Sequence, residues 1–187
     1  CDLSDAESFP DSLGAVKNES HLSKISLAWN QSLSFPFKKS RRFFPLHSQK
    51  AVSPFCSRPI DVSCRIAQQY SRETVRYQRK RISSLLLEMN ISTEKIPPHK
   101  YHAELRKAKI GVSPFGWGEF AYRDFEIIMA GCLLYKPDMS HCVTWPDLYK
   151  ADETYVPFKW DLSDFKSKLI WLLEHPDAVR NYARQAQ

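Results

Sequence analysis

The residues with the most chemical potential lie between Gly111 and Gly131, a stretch holding four of the five glycines in 187 residues. Gly116 and Gly118 flank Trp117, between a strand-like run at 109–113 and a helix-like run at 120–130. Glycine suits a backbone that must turn sharply or let a ligand approach closely. The start of the following helix offers free N–H groups and a partial positive charge, a combination that attracts phosphate. Arg123, Asp124 and Glu126 fall within its first two turns. A glutamate there can accept both hydroxyls of a ribose, and an arginine can neutralise a diphosphate. The same residues also fit a ligand-free βα turn followed by a salt-bridged helix face, and spacing alone does not choose between the two.

A second group follows the apolar run 132–135, where Lys136, Pro137, Asp138 and His141 would emerge from the end of a strand. Asp138 and His141 are therefore expected to line a cleft, with His141 able to polarise donor or acceptor. His99 and His102 are three residues apart, but no further ligands stand beside them to complete a metal site. The five cysteines show no CxxC spacing, which argues against a zinc cluster and against a disulfide framework; Cys64 and Cys132 sit in apolar runs and suit the core. Most of the aromatics Trp117, Phe120, Tyr122, Phe125 and Trp145 are expected in the core as well.

These groups need a scaffold, and the chain supplies one from residue 58 onward. Residues 60–65 alternate apolar and polar as a strand does, and residues 70–89 place Val75, Ile82, Leu86 and Met89 on one helical stripe. Arg72, Arg76, Arg79 and Lys80 are expected on its polar face. A short helix at 101–107, a strand at 109–113, a helix at 120–130 and a strand at 132–135 follow. Residues 155–158 contain a proline and fit an edge strand. Asp161 or Ser163 can cap the next helix, and Pro176 opens the last. Strand–helix alternation at this spacing predicts an α/β, Rossmann-like parallel sheet with helices on both faces. Ligands of such sheets bind beyond the carboxyl ends of the strands. Residues 1–57 are irregular and rich in Ser, Phe and Pro. They suggest a linker or the remnant of a preceding domain, and the Cys1 start suggests a piece of a longer enzyme.

The longest apolar runs are far shorter than the ~20 residues of a membrane helix. A formal charge of +6 favours an anionic partner. The run Lys38-Lys39-Ser40-Arg41-Arg42 could bind phosphate or simply face solvent.

The stretch from Ser113 to Cys132 resembles the donor-binding signature of glycosyltransferases with the GT-B fold, in which two Rossmann-like domains face a cleft. Its Arg123-Asp124-Phe125-Glu126 wording is closer to the exostosin-like and spore-maturation-type branches than to the group-1 enzymes. Glu126 matches the second member of the family's paired-glutamate motif, and Ala130-Gly131 the small pair that ends the helix. The first glutamate of that pair would fall at Gly118, and the acid present is Glu119. Arg65, ending the first strand, is similar to the basic residue that faces the diphosphate. The resemblance covers residues 58–187 and implies a C-terminal domain that binds a nucleotide diphosphate sugar and passes the sugar to a carbohydrate, lipid-linked or protein acceptor. It implies no metal or other cofactor, and an acceptor-activating base supplied by the other domain. The donor site would comprise Arg65, Gly116, Trp117, Gly118, Glu119, Arg123, Glu126, Asp138 and His141. Glu126 is expected to project into the cleft above the 116–118 turn, with Arg123 nearby and Arg65 opposite. Such an enzyme would act in the cytoplasm or peripherally at a membrane face. The sequons at Asn18, Asn30 and Asn90 favour a secretory-pathway lumen instead. The alternative reading is a non-catalytic interaction module, or a basic nucleic-acid-binding one using the 38–42 run and the arginines of helix 70–89.

Overall fold

The computed structural model describes residues 54–116, 118–144 and 147–187. The irregular N-terminal segment with its Lys38–Arg42 run, and also Trp117 and Trp145, lie outside the described residues. After a 3₁₀ turn at Phe55–Ser57, the chain forms β1 (Ile60–Ser63), α1 (Glu73–Glu88), α2 (Pro98–Leu105) and β2 (Ala108–Val112). It continues through α3 (Tyr122–Met129), β3 (Leu133–Pro137), β4 (Val156–Phe158), α4 (Phe165–Glu174) and α5 (Pro176–Gln185).

The four strands make one parallel sheet in the order β1-β2-β3-β4, with Val62 opposite Ile110, Ile110 opposite Leu133, and Tyr135 opposite Val156. β4 is an edge, where the missing N–H of Pro157 costs least. Alternation along β3 explains why both faces are covered. Leu133 and Tyr135 pack with Ile82 and Leu86 of α1, Phe165 and Leu169 of α4, and Val179 of α5. Leu134 points the other way, into a second core with Leu105 of α2 and Ile127 and Ile128 of α3. The architecture is the Rossmann-like α/β sheet that the alternation predicts. Element bounds move by a few residues. α1 and α2 each start three residues from the expected bound, and α4 begins at Phe165; Asp161 and Ser163 form a turn ahead of it, with the Ser163 N–H donating to the Asp161 carboxylate at 3.0 Å.

Two backbone anchors fix the amino-end edge of the sheet. Buried Arg58 donates to the carbonyls of Ala108 (2.7 Å), Gly131 (2.8 Å) and Ala130 (2.9 Å), tying the entry of the domain to β2 and to the end of α3. α3 closes on Gly131 at φ 68°, with the Gly131 and Cys132 N–H groups donating back to Ile128 and Ile127. This two-bond closure requires a left-handed residue, and glycine adopts it without strain.

The approach of α3 to the sheet is set by Gly111. A Cβ there would lie 2.6–2.8 Å from three side-chain carbons of Ile127. Gly111→Ala is therefore expected to push α3 off β2 and destabilise the fold by about 1–3 kcal/mol, as overpacked cores do. Urea unfolding measures it, and an unchanged midpoint would show that Ile127 can yield at no cost.

Candidate anion-binding site

All four strands deliver side chains to the carboxyl-end edge of the sheet, and two adjoining clefts open there on either side of the 116–118 turn. The first, about 380 Å³, is lined by Arg65 after β1, Ser113 after β2, Arg79 of α1, Lys95, and Arg123 in the first turn of α3. The second, about 520 Å³, is lined by Arg72, Glu119, Asp138 after β3, His141, and Lys159 and Trp160 after β4. Gly116 and Gly118 line both.

The turn is held from beneath by a buried polar cluster. Asp124 and Lys136 are fully shielded from solvent and lie 3.1 Å apart. The Asp124 carboxylate also accepts from the Ser113 hydroxyl, the Tyr149 hydroxyl (2.7 Å) and the Ala121 N–H (3.2 Å). Lys136 donates to the Glu119 carbonyl at 2.5 Å and lies over the Phe115 ring. Burial drives the Lys136 ammonium down from its ordinary range, and Asp124 opposes that shift. A cation and an anion can share a dry interior only when both are paired and hydrogen-bonded in this way. Asp124, expected near the pocket, thus serves the scaffold.

The first cleft is cationic, with no acidic side chain in its lining. Arg65 is held by Glu104 (2.8 Å), which also accepts from Ser63. Arg79 was expected on the polar face of its helix; it is instead buried, with its guanidinium donating to the carbonyls of Phe115 (2.6 Å) and Ala67 (3.1 Å) and lying 4.3 Å from the Tyr70 ring centroid. Burial lowers its pKa to about 10, so it stays charged at neutral pH. One turn of helix separates it from Val75 and another from Ile82 and Ser83, so Arg79 lies on the apolar stripe of α1. That placement was visible in the spacing. Arg123 differs from both: its Nε and Nη1 are shielded from water and make no hydrogen bond, and its guanidinium lies over Tyr101 at 5.7 Å.

Of the residues named from sequence, Arg65, Arg123, Gly116 and Gly118 meet at the first cleft, and Glu119, Asp138 and His141 meet Gly116 and Gly118 at the second. Glu126 meets neither. It is one turn further along α3, its carboxylate 3.7 Å from His102 of α2. Since α3 runs away from the carboxyl edge, three residues carry Glu126 about 4.5 Å deeper than Arg123. Gly116 has ordinary room for a Cβ, with the Tyr70 hydroxyl at 3.5 Å and the Arg79 guanidinium at 3.6 Å, so packing does not require glycine there. Lys95, Arg72, Lys159 and Trp160 carried no local signal; the fold alone brings them to the edge.

In the second cleft, Glu119 and His141 pair at 2.8 Å. Burial pushes the Asp138 carboxyl up, but hydrogen bonds from the Ser140 hydroxyl and N–H, together with nearby His141, outweigh it and hold the group below its ordinary range. Glu119, His141 and Cys142 each present a ligand atom within 4.8 Å of the others. Glu119 and His141 already satisfy each other, and Cys142 has a bonding partner of its own, so the trio makes no case for a metal.

No protein-family model matches the chain, and no curated protein matches it.

Burial pushes the Glu126 carboxyl up from 4.5 to about 7, with Arg123 opposing the shift and Asp124 adding to it. Between those two values the folded protein holds a proton that the unfolded chain has lost, so stability falls as pH rises through the window and levels off above it. The loss is on the order of 3 kcal/mol at most. Glu126→Gln removes it. Urea unfolding at about pH 5 and pH 8 should therefore show the variant gaining on the wild type at the higher pH, and an equal difference at both would place the carboxylate in a solvated setting.

Proposed function

We propose that this domain binds a nucleotide diphosphate sugar and serves in transfer of the sugar to an acceptor hydroxyl, with the diphosphate in the first cleft. The observation that carries the reading is the lining of that cleft. It combines Arg65, Arg79, Lys95 and Arg123 with no acid, at the carboxyl edge of a parallel sheet and beside the start of α3. Buried N–H groups without acceptors cost about 1–3 kcal/mol each. Arg123 has two of them, so an anion that draws its guanidinium into a hydrogen bond recovers that cost. During transfer, negative charge grows on the departing diphosphate, and fixed cations stabilise it there. The resemblance of the 113–131 stretch to GT-B donor domains supplies the sugar part of the reading. Those enzymes need no metal, and the arginines fill that electrostatic role. Glu126 lines neither cleft and lies 3.7 Å from His102, so the ribose contact that the resemblance implies is not part of this proposal.

The nucleic-acid alternative is weaker. Burial removes Arg79 from the helix surface, and Arg76 is paired with Glu73 at 2.9 Å. No helix among the described residues is long and apolar enough to cross a membrane.

Isothermal titration with UDP, GDP, ADP and CDP and their common sugar conjugates tests the proposal. Arg123→Gln should weaken the best ligand at least about tenfold, which is ~1.4 kcal/mol, with no loss of unliganded stability. Equal affinity in wild type and variant, or no binding by any diphosphate, contradicts it.

A further inference from the structure

We infer that the first cleft takes up its anion together with a proton on Glu126, so that a carboxyl outside the cleft regulates affinity within it. This rests on the anion part of the donor reading above and on nothing in its sugar part. Arg123 and Glu126 are three residues apart on α3, the spacing at which side chains on one helix face meet. Arg123 lines the cleft, and its Nε and Nη1 are shielded from water and make no hydrogen bond. Glu126 lines neither cleft, and its side chain is 14% exposed. One guanidinium thus stands between a cleft open to anions and a carboxyl set behind it, and it serves only one of them at full strength.

The groups around Glu126 leave Arg123 as the cation it feels. On its own helix, Asp124 is paired with Lys136 and adds only negative charge. From α2 come Tyr101 and His102. The Tyr101 phenol is pushed up by burial, and the thiols that reach it from the sheet, Cys64 and Cys132, are pushed up to about 12, so all three are neutral near pH 7. His102 Nε2 is 3.7 Å from the Glu126 carboxylate, beyond hydrogen-bond reach. Burial, helped by Arg106, lowers His102 below its ordinary 6.5, so it too is neutral there. Burial raises the Glu126 carboxyl to about 7, and Arg123 opposes the rise.

Below that value Glu126 is neutral and Arg123 presents its whole charge to the cleft. Above it, the ionised carboxylate draws on the same guanidinium and repels an anion in the cleft. The anion therefore favours the protonated form, and by linkage a bound anion raises the Glu126 pKa further. Affinity is level while free Glu126 stays protonated and falls as pH rises through about 7. It levels again once Glu126 ionises in the complex as well.

The full chain is titrated calorimetrically at about pH 6.5 and about pH 8.5 with probes whose charge is constant between them: sulfate, and the diphosphate diesters UDP-glucose and GDP-mannose. Each probe that binds should weaken at least about threefold at the higher pH, since coupling between sites is typically about 5–150-fold. Heats measured near pH 7.5 in buffers of different ionisation enthalpy should show fractional proton uptake. Glu126→Gln, which mimics the neutral form, should bind at both pH values about as tightly as the wild type does at the lower one, without that uptake. Independently of the variant, the NMR titration midpoint of the wild-type Glu126 carboxyl carbon should move to higher pH when sulfate is added at matched ionic strength. The same pH dependence in wild type and Glu126→Gln, a midpoint indifferent to sulfate, or no binding by any probe overturns the inference. The donor reading fails separately, when sulfate binds with this pH dependence and no sugar nucleotide does.

Discussion

The buried ion pair between Asp124 and Lys136 is the constraint on which the carboxyl-end edge of this domain depends. Lys136 belongs to β3 and Asp124 to the first turn of α3, so the pair joins the centre of the sheet to the helix that enters it. Its remaining valences reach Ser113 at the end of β2, Tyr149 in the connection to β4, and the Glu119 carbonyl in the turn. Losing one partner of such a pair typically costs about 3–5 kcal/mol, because the other charge is left buried and alone. The end of β2, the 116–118 turn and the start of α3, which line the two clefts, are therefore coupled through one buried interaction.

From that anchor the charge separation of the edge follows. Asp124 faces inward toward Lys136, while the residue before it, Arg123, lines the first cleft, with Glu126 one turn further along the helix as the acid that feels its charge. Arg79 supports the same wall by holding the carbonyls of Phe115 and Ala67 while remaining cationic. On the other side of the turn the acids collect, with Glu119 and Asp138 around His141. A positive cleft and a cleft of mixed charge, with Arg72 and Lys159 beside Glu119 and Asp138, then share two glycines.

The sheet was legible because its signals are local. The apolar run 132–135 and the alternation of 60–65 need only their own residues to declare strands, and Gly116, Gly118 and Gly131 mark turns next to them. Arg65, Arg123, Asp138 and His141 follow from the rule that ligands gather at strand ends, and each lies at a cleft. The burial of Asp124 was not legible, because it depends on Lys136, in the next strand, and on Tyr149 beyond it. Glu126 was misplaced because a family pattern says nothing of helix direction, and α3 carries it down toward His102. Arg79 was the avoidable error, since it interrupts an apolar stripe and a charge at such a position must find buried partners.

The central claim is that the cationic cleft with Arg123 receives a nucleotide diphosphate. It is tested most directly by a titration of the best-binding diphosphate into ¹⁵N-labelled protein, observing the Arg123 Nε–H and the Gly116 and Gly118 amides. Saturable shifts of all three with one dissociation constant are predicted, because one ligand would sit against the turn and satisfy the buried guanidinium. Saturable shifts confined to the exposed face of α1, with the Arg123 Nε–H unmoved, would contradict the account.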